Sequence, residues 1–305
     1  MLKNCLYSLR EHSNDQEVKV IVVDNASRDG SSEMVQAAFP EVQLIHSGGN
    51  IGFARGNNLA IPYANTPFVL FLNPDTMVTR DSIKNLIDFM KANPSVGALG
   101  CKMKYPDGTV QNLGLQWFPS PLTELVNILF LSENTIRKFH KYLPYKNPEH
   151  SGFVSKLYGG CLMVRREIFE QIGYFDDRFF MYGEDVDLCQ RILKNGWKLY
   201  YLSEAQIIHI GAGASNNSSS QFSTLMMCES ILKLMEKYYG NNGKLMYRLV
   251  IFTGSQFRLL VLLFLKVLSL FGLLSVSGEN LKGLYNKYLT MLKWSLKLQK
   301  PVIKN

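Results

Sequence analysis

The sequence predicts an α/β fold with a mostly parallel, mixed sheet flanked by helices, followed by a helical extension that is both basic and apolar. Three observations predict it. Short apolar runs alternate with helical patterns through the first hundred residues. Two of those runs are continuously apolar, as strands buried on both faces are. Positive charge gathers in the last quarter of the chain. With 305 residues, 47% of them hydrophobic, the chain can bury one large core or two modest ones, which excludes disorder as its main state.

The strands are expected at "VKVIVVD" (18–24), "VQLIHS" (42–47), "FVLFLN" (68–73) and "VGALGC" (96–101), with helices near 31–38, 53–64 and 80–92 between them. "YPDGTV" (105–110) has the turn chemistry of a hairpin. Residues 115–150, rich in Pro, aromatic and basic residues, read as a mobile insertion. After Gly183, the residues Leu188, Cys189, Ile192 and Leu193 form a helical stripe that Asn195-Gly196 ends.

The net charge is +8, yet residues 231–305 hold twelve Lys and Arg against two acidic residues, so the basic character belongs to the tail. Within it, "LLVLLFLKVLSLFGLLSV" (259–276) is at the lower length limit for a spanning helix, and Lys266 in its middle makes a half-buried or re-entrant helix an equal reading. "ENLKGLYNKYLTMLKWSLKLQK" places Leu281, Tyr285, Tyr288, Leu292 and Leu296 on one stripe, with most lysines off it. That pattern suits an interfacial helix on anionic lipid, or a core helix pair with a solvated basic face. No nucleic-acid motif accompanies the charge. Five scattered cysteines without a CxxC pair, and no apolar leader at the N-terminus, lead to the expectation of a reducing, cytoplasmic setting without a zinc or disulfide framework. The expected division is a catalytic domain over 1–222 and a membrane-associating region over 223–305.

In open α/β sheets ligands sit at the carboxyl ends of the strands, and two acidic groups stand there. One is Asp24, which suits either an Asx-turn or recognition of a nucleotide's base or ribose. The other is Asp75, in "FLNPDT". "GGNIGFARGNNLAI" (48–61) is a glycine-rich loop entering a helix that carries Arg55, Asn57 and Asn58, a means of meeting a phosphate with amides and an arginine. In "MYGEDVDLCQR", Glu184, Asp185 and Asp187 crowd a first helical turn. They are either dipole partners or a repelling cluster that a metal, a proton or a cation must compensate, and such a carboxylate suits a general base.

"VVDNASRDGS", "NIGFARGNN", "FLNPD", "GGCLMVRREIFEQIGYFDDRFFMYGEDVDLCQR" and "HIGAGAS" occur in the order and spacing of family 2 glycosyltransferases, and the chain resembles their bacterial rhamnosyltransferase branch over roughly residues 1–215. The resemblance implies a GT-A fold, a dTDP- or UDP-sugar donor, Mg²⁺ or Mn²⁺, a glycan or lipid-linked saccharide acceptor and inversion at the anomeric carbon. Carried onto this chain, it implies that Asp24 reads the pyrimidine base and that Arg55 meets the nucleotide. Asp185 becomes the catalytic base with Glu184 beside it, and Asp75 and His209 become the metal ligands. Asn25, Asn58, Asn73 and Asp187 join them as substrate-binding candidates, with Asn73 in place of the first carboxylate of the usual Asp-x-Asp motif. A histidine after an apolar run such as "AQIIHI" also suits a structural role.

Members of the family begin with a further strand of the type "VSIVIVNYN", whereas this sequence opens on the helix "LKNCLYSLREH". The expectation is therefore a sheet lacking its first strand, beside residues 18–24, and weakened donor binding. Two functions compete with that of an active transferase on the cytoplasmic face of the bacterial inner membrane. One is a catalytically impaired, membrane-bound relative that binds sugar nucleotide. The other is a nucleotidyltransferase, which residues 24–31 disfavour because they lack a glycine-rich loop bearing the needed cations. The sequence leaves the oligomeric state open.

Overall fold

The computed structural model describes residues 1–12, 18–112, 116–130, 145–211, 221–271, 273 and 278–298. The chain forms two compact units, Met1–Gln116 with Pro144–Gly213, and Trp117–Leu143 with Ala214–Asn305.

The first unit opens with α1 (Leu2–His12), β1 (Ile21–Asp24), α2 (Ser31–Ala38), β2 (Gln43–His46), α3 (Phe53–Ala60), β3 (Phe68–Leu72), β4 (Thr76–Val78), α4 (Ser82–Ala92) and β5 (Val96–Lys104). Helix α5 (Pro121–Phe130) belongs to the second unit. The chain then returns with β6 (Gly152–Val154), β7 (Cys161–Arg165), α6 (Arg166–Ile172), α7 (Glu184–Lys194) and β8 (Lys198–His209).

Strands β1 and β2 pair in parallel as one small sheet; the others form a second sheet in the order β3-β7-β5-β8-β4, with β6 also on β8. The sheet is mixed, as expected. Among the described strands, however, only β1–β2 and β5–β8 are parallel pairs, while β3–β7, β5–β7, β4–β8 and β6–β8 are antiparallel. Apolar continuity reports burial on both faces and is blind to strand direction. The strand "CLMVR" inserts between β3 and β5 and runs against both.

The helices cover this sheet with the stripes their spacing provides. Helix α4 buries Ile83, Leu86 and Met90, and α1 buries Cys5, Leu6 and Leu9 in the same cluster as Leu99 and Met163. The guanidinium of Arg165 donates to the carbonyls of Met90, Asn93 and Val96, satisfying orphan groups where α4 ends and β5 begins. The expected hairpin forms. Gly108 adopts φ 85°, Tyr105 N donates to Thr109 O at 2.8 Å, and Lys104 bridges Val110. Gln111 N then donates to Met103 O at 2.9 Å, bringing the chain back beside β5.

The second unit contains α5, α8 (Gln221–Leu270) and α9 (Gly278–Ser295). Helix α8 breaks at Gly240, whose φ of 66° and ψ of −160° leave the helical region that residues with a Cβ would keep. Its core gathers Ile128, Cys228, Met235, Tyr247, Ile251 and Trp294. Two expectations change here. Part of the stretch expected as a mobile insertion is α5, because Leu125, Ile128 and Leu129 give it an apolar face that packs in this core. Helix α9 buries Trp294 and packs Tyr288 and Met291, whereas Tyr285 and Leu296 of the expected stripe are about half exposed. Tryptophan outweighs the stripe because one indole removes more apolar surface than two edge residues. Residues 115, 131–144, the "SNNSSSQ" tract up to Ser220 and Lys300 lie outside the described residues.

Leu99, fully buried on β5 between β7 and β8, is a site where a cavity cannot collapse. Leu99→Ala is expected to cost about 2–5 kcal/mol in urea unfolding followed by circular dichroism.

Candidate active site

Local backbone geometry sets the site. Tyr182 (φ 69°) and Gly183 (φ 85°) hold two successive left-handed conformations, so α7 starts abruptly at Glu184 and its first turn carries Glu184, Asp185 and Asp187. The preceding loop is tied to the glycine-rich loop, because Phe53 N donates to Phe180 O at 2.6 Å. At Gly52 (φ 87°) any side chain would collide with Phe180, so only glycine permits that approach.

The three carboxylates then separate by environment. Asp185 accepts from Gly159 N at 3.0 Å on Oδ2 and from Val186 N at 2.8 Å on Oδ1. Burial raises its pKa, and these amides oppose that rise. Glu184 is 6% exposed, and its Oε2 has no hydrogen-bond partner. Burial, and then the charge of Asp185, push Glu184 from 4.5 up to about 8. Asp187, expected to bind substrate or to orient its neighbours, is turned away from solvent. Its side chain is fully buried and bonded to Arg191 Nε at 2.8 Å, and Arg191 in turn donates to the carbonyls of Ile172, Gly173 and Tyr174. With no exposed surface Asp187 offers nothing to a ligand, and the pair braces the loop that precedes α7.

The other candidates stand at the strand ends. Asp75 is 8% exposed, and its Oδ1 lies 3.3 Å from His209 Nε2, since Thr76 of β4 pairs in register with His209 of β8. Gly159 and Gly160 join this pair to Asp185. Gly159 bonds Asp185, while Gly160 O accepts from Asn73 N at 3.1 Å. A Cβ on Gly160 would stand 3.6 Å from Asn73 Nδ2 and 3.8 Å from His209 Cε1. Asp185, Asn73 and His209 thus stand against two adjacent glycines, and Asp75 reaches them through His209.

Asp24 sits at the end of β1. Hydrogen bonds from Ser32 and Ser27 hold it down to about 2, and His46 Nδ1 approaches Oδ2 at 3.5 Å. It is therefore ionised and also serves as the Asx-turn that its sequence allows. Arg55 is exposed, with no hydrogen bond to other described residues. Asn25 and Asn58, expected to bind substrate, are half-buried and bonded to neighbouring loops. Asn25 accepts from Ile51 N and donates to Gly52 O, clasping the glycine-rich loop. Asn58 donates to Phe175 O and Asp177 and accepts from Phe175 N, clasping the loop before Phe179.

Among the described residues no three His, Cys, Asp or Glu side chains group closely enough to hold a metal alone. One carboxylate, one imidazole and a nearby amide fit a hard divalent cation that takes the rest of its about six ligands from water and a bound diphosphate. Sequence reasoning missed the Arg191 brace and the role of Gln111, whose Oε1 lies 2.9 Å from His209 Nδ1. The i,i+4 spacing of Asp187 and Arg191 is a signal that could have found the brace; nothing around Gln111 marks it.

Residues 1–173 match the model of glycosyl transferase family 2, and residues 136–211 match one described as the N-terminal domain of galactosyltransferase. An N-acetylglucosaminyl-diphospho-decaprenol L-rhamnosyltransferase of Mycobacterium tuberculosis is 33% identical over 214 residues, which span 65% of this chain and 68% of that protein. The rhamnosyltransferase WbbL of Escherichia coli K12 is 26% identical, over 65% of this chain and 75% of its own. A mannosyltransferase of Pyrobaculum calidifontis, solved in complex with GDP-Man and Mn²⁺, shares the fold at a TM-score of 0.56 and 15% identity, covering 97% of this chain and 82% of that one. A family model that matches more than half of the chain, together with these rhamnosyltransferase relatives, shows that the chain belongs to glycosyl transferase family 2 and is rhamnosyltransferase-like within it.

Proposed function

We propose that this glycosyltransferase inverts the anomeric carbon of its donor, dTDP-L-rhamnose, and passes the sugar to a lipid-linked glycan at the cytoplasmic face of the bacterial inner membrane. The observation that carries the reading is the approach of Asp185, Asn73 and His209 to Gly159 and Gly160, with Asp75 beside His209. The lipid-linked acceptor is supported by the name of the mycobacterial relative, which acts on a diphospho-decaprenol.

The two carboxylates of α7 divide the work. Two backbone N–H groups and the helix N-terminus favour the anion at Asp185, while Glu184, with one oxygen unbonded, keeps the proton. Asp185 therefore takes the proton of the acceptor hydroxyl. The acceptor oxygen forms its bond to the anomeric carbon from the face opposite the diphosphate, whose bond to that carbon breaks with its electron pair. A single displacement inverts the centre. Arg55 pairs with the diphosphate and Asp24 with the base of the nucleotide. Asp75 and His209, with Asn73 nearby, would hold Mg²⁺ or Mn²⁺, which when bound neutralises charge on the leaving diphosphate.

The second unit supplies the membrane contact in this reading. Helix α8 contains a window of mean hydropathy 1.7 of which 22% is buried. Met246, Leu249, Leu260, Phe264 and Leu270 on it are 55–77% exposed. From Met246 to Leu270 this stripe runs about 37 Å at ~1.5 Å per residue, and a large exposed apolar stripe in a basic unit suits insertion into anionic lipid.

Asp185→Asn is expected to abolish transfer while sparing donor binding measured by calorimetry; turnover that survives it removes Asp185 as the base. For Glu184 the folded pKa lies above the unfolded one, so its stabilisation is full below pH 4.5 and is lost as pH rises through about 8. Glu184→Gln should flatten the fall in stability across that window, and parallel wild-type and variant profiles would contradict the assignment. The double substitution Leu260→Asp with Phe264→Asp should abolish flotation with vesicles containing phosphatidylglycerol; undiminished flotation would place the membrane contact elsewhere.

A further inference from the structure

We propose that Gln111 is a positioning residue that fixes the proton of His209 on Nδ1 and leaves the Nε2 lone pair facing a divalent cation beside Asp75. The cation half of this statement rests on the metal reading given above.

The geometry decides the orientation of the amide. Gln111 Nε2 lies 3.0 Å from His209 O, and its Oε1 lies 2.9 Å from His209 Nδ1. A main-chain carbonyl only accepts hydrogen bonds, so the end of the amide that meets it is the NH₂ group. The carboxamide oxygen is then the end that meets Nδ1. That oxygen can only accept, so Nδ1 carries a proton, and in the neutral ring Nε2 is then the bare nitrogen. One side chain thus grips both the backbone and the ring of His209, leaving the imidazole little freedom to rotate.

Gln111 is itself held by the hairpin. Its N–H donates to Met103 O at 2.9 Å, directly after the Lys104–Val110 bridge. The turn is closed by Gly108 and by Asp107 Oδ1, which accepts from Thr109 N at 2.9 Å. The sequence "YPDGTVQ" therefore delivers a glutamine to the end of β8.

The consequence lies on the other side of the ring. With the proton on Nδ1, Nε2 presents a lone pair 3.3 Å from the carboxylate oxygen of Asp75. Two acceptors at that distance repel unless something positive lies between them. Without Gln111, the ring would do better with its proton on Nε2, donated to Asp75, and the site would be closed to a cation. Gln111 trades that internal bond for a ligand-ready pair, as partners behind metal-bound histidines do.

The test uses the full chain labelled with ¹⁵N-histidine, whose five histidines allow His209 to be identified by its loss in His209→Ala. In long-range ¹⁵N–¹H spectra of metal-free protein at about pH 8.5, above the ordinary imidazole range, wild-type His209 should carry its proton on Nδ1. Gln111→Leu should move it to Nε2, as should Gln111→Met, which is closer in shape and guards against a folding defect. Gln111→Glu keeps the acceptor and should keep the Nδ1 proton. Mn²⁺ binding in the presence of dTDP, followed by electron paramagnetic resonance, should weaken about tenfold in Gln111→Leu. An unchanged tautomer in both loss variants overturns the proposal. A tautomer that moves while Mn²⁺ binds equally to wild type and His209→Ala upholds the clasp and overturns the metal reading on which its purpose rests.

Discussion

The Gly159 amide donates to Asp185, and one residue later the Gly160 carbonyl accepts from the amide of Asn73. The rest of the candidate site depends on these two adjacent residues, because they set the spacing between Asp185 on α7 and the ends of β3 and β4, where Asn73 and Asp75 stand. A Cβ at Gly160 would stand 3.3 Å from Met103 Sδ, whose flexible side chain would have to give slightly, whereas at Gly159 the nearest atom, on Phe53, lies at an ordinary contact distance of 3.4 Å.

Around that backbone, electrostatics decides which acid does what. Three carboxylates in four residues would repel strongly if all were ionised and dry. Asp187 has Arg191 as its partner, Asp185 has two backbone amides, and Glu184 has no partner on Oε2 and so becomes the group that holds a proton. Three different carboxylate environments arise from one short sequence through unequal burial and bonding, with little difference in the chemistry of the side chains.

The second unit follows another rule. Its long helix α8 has one apolar face turned inward, carrying Tyr247, Ile251 and Leu262, and another turned outward, carrying Leu249, Leu260 and Phe264. A helix in water normally keeps one of its faces polar, whereas this one is apolar on two sides. The basic residues of this unit are partly used within it, as Arg248 lies 4.8 Å above the Trp294 ring and Arg258 Nε donates to Ile128 O. Part of the charge of the tail is thus used within the unit itself.

How much of this was legible depends on the range of the interaction. The sequence by itself determined α2, α4 and α7, the strands β1, β2, β3 and β5 and the hairpin before Gln111, because period, caps and turn residues act over a few positions. It also placed Asp24, Asp75, Asp185 and His209 at element ends, where ligands meet α/β sheets. Only the tertiary structure decided that antiparallel pairs predominate, that Asp187, Asn25 and Asn58 face inward to partners, and that Trp294 sets the buried side of α9. Only it brought Gln111 to His209 across 98 positions of sequence. Strand direction and the pairing of polar groups are settled by which distant segment arrives to satisfy a buried donor or acceptor, and no local pattern carries that information.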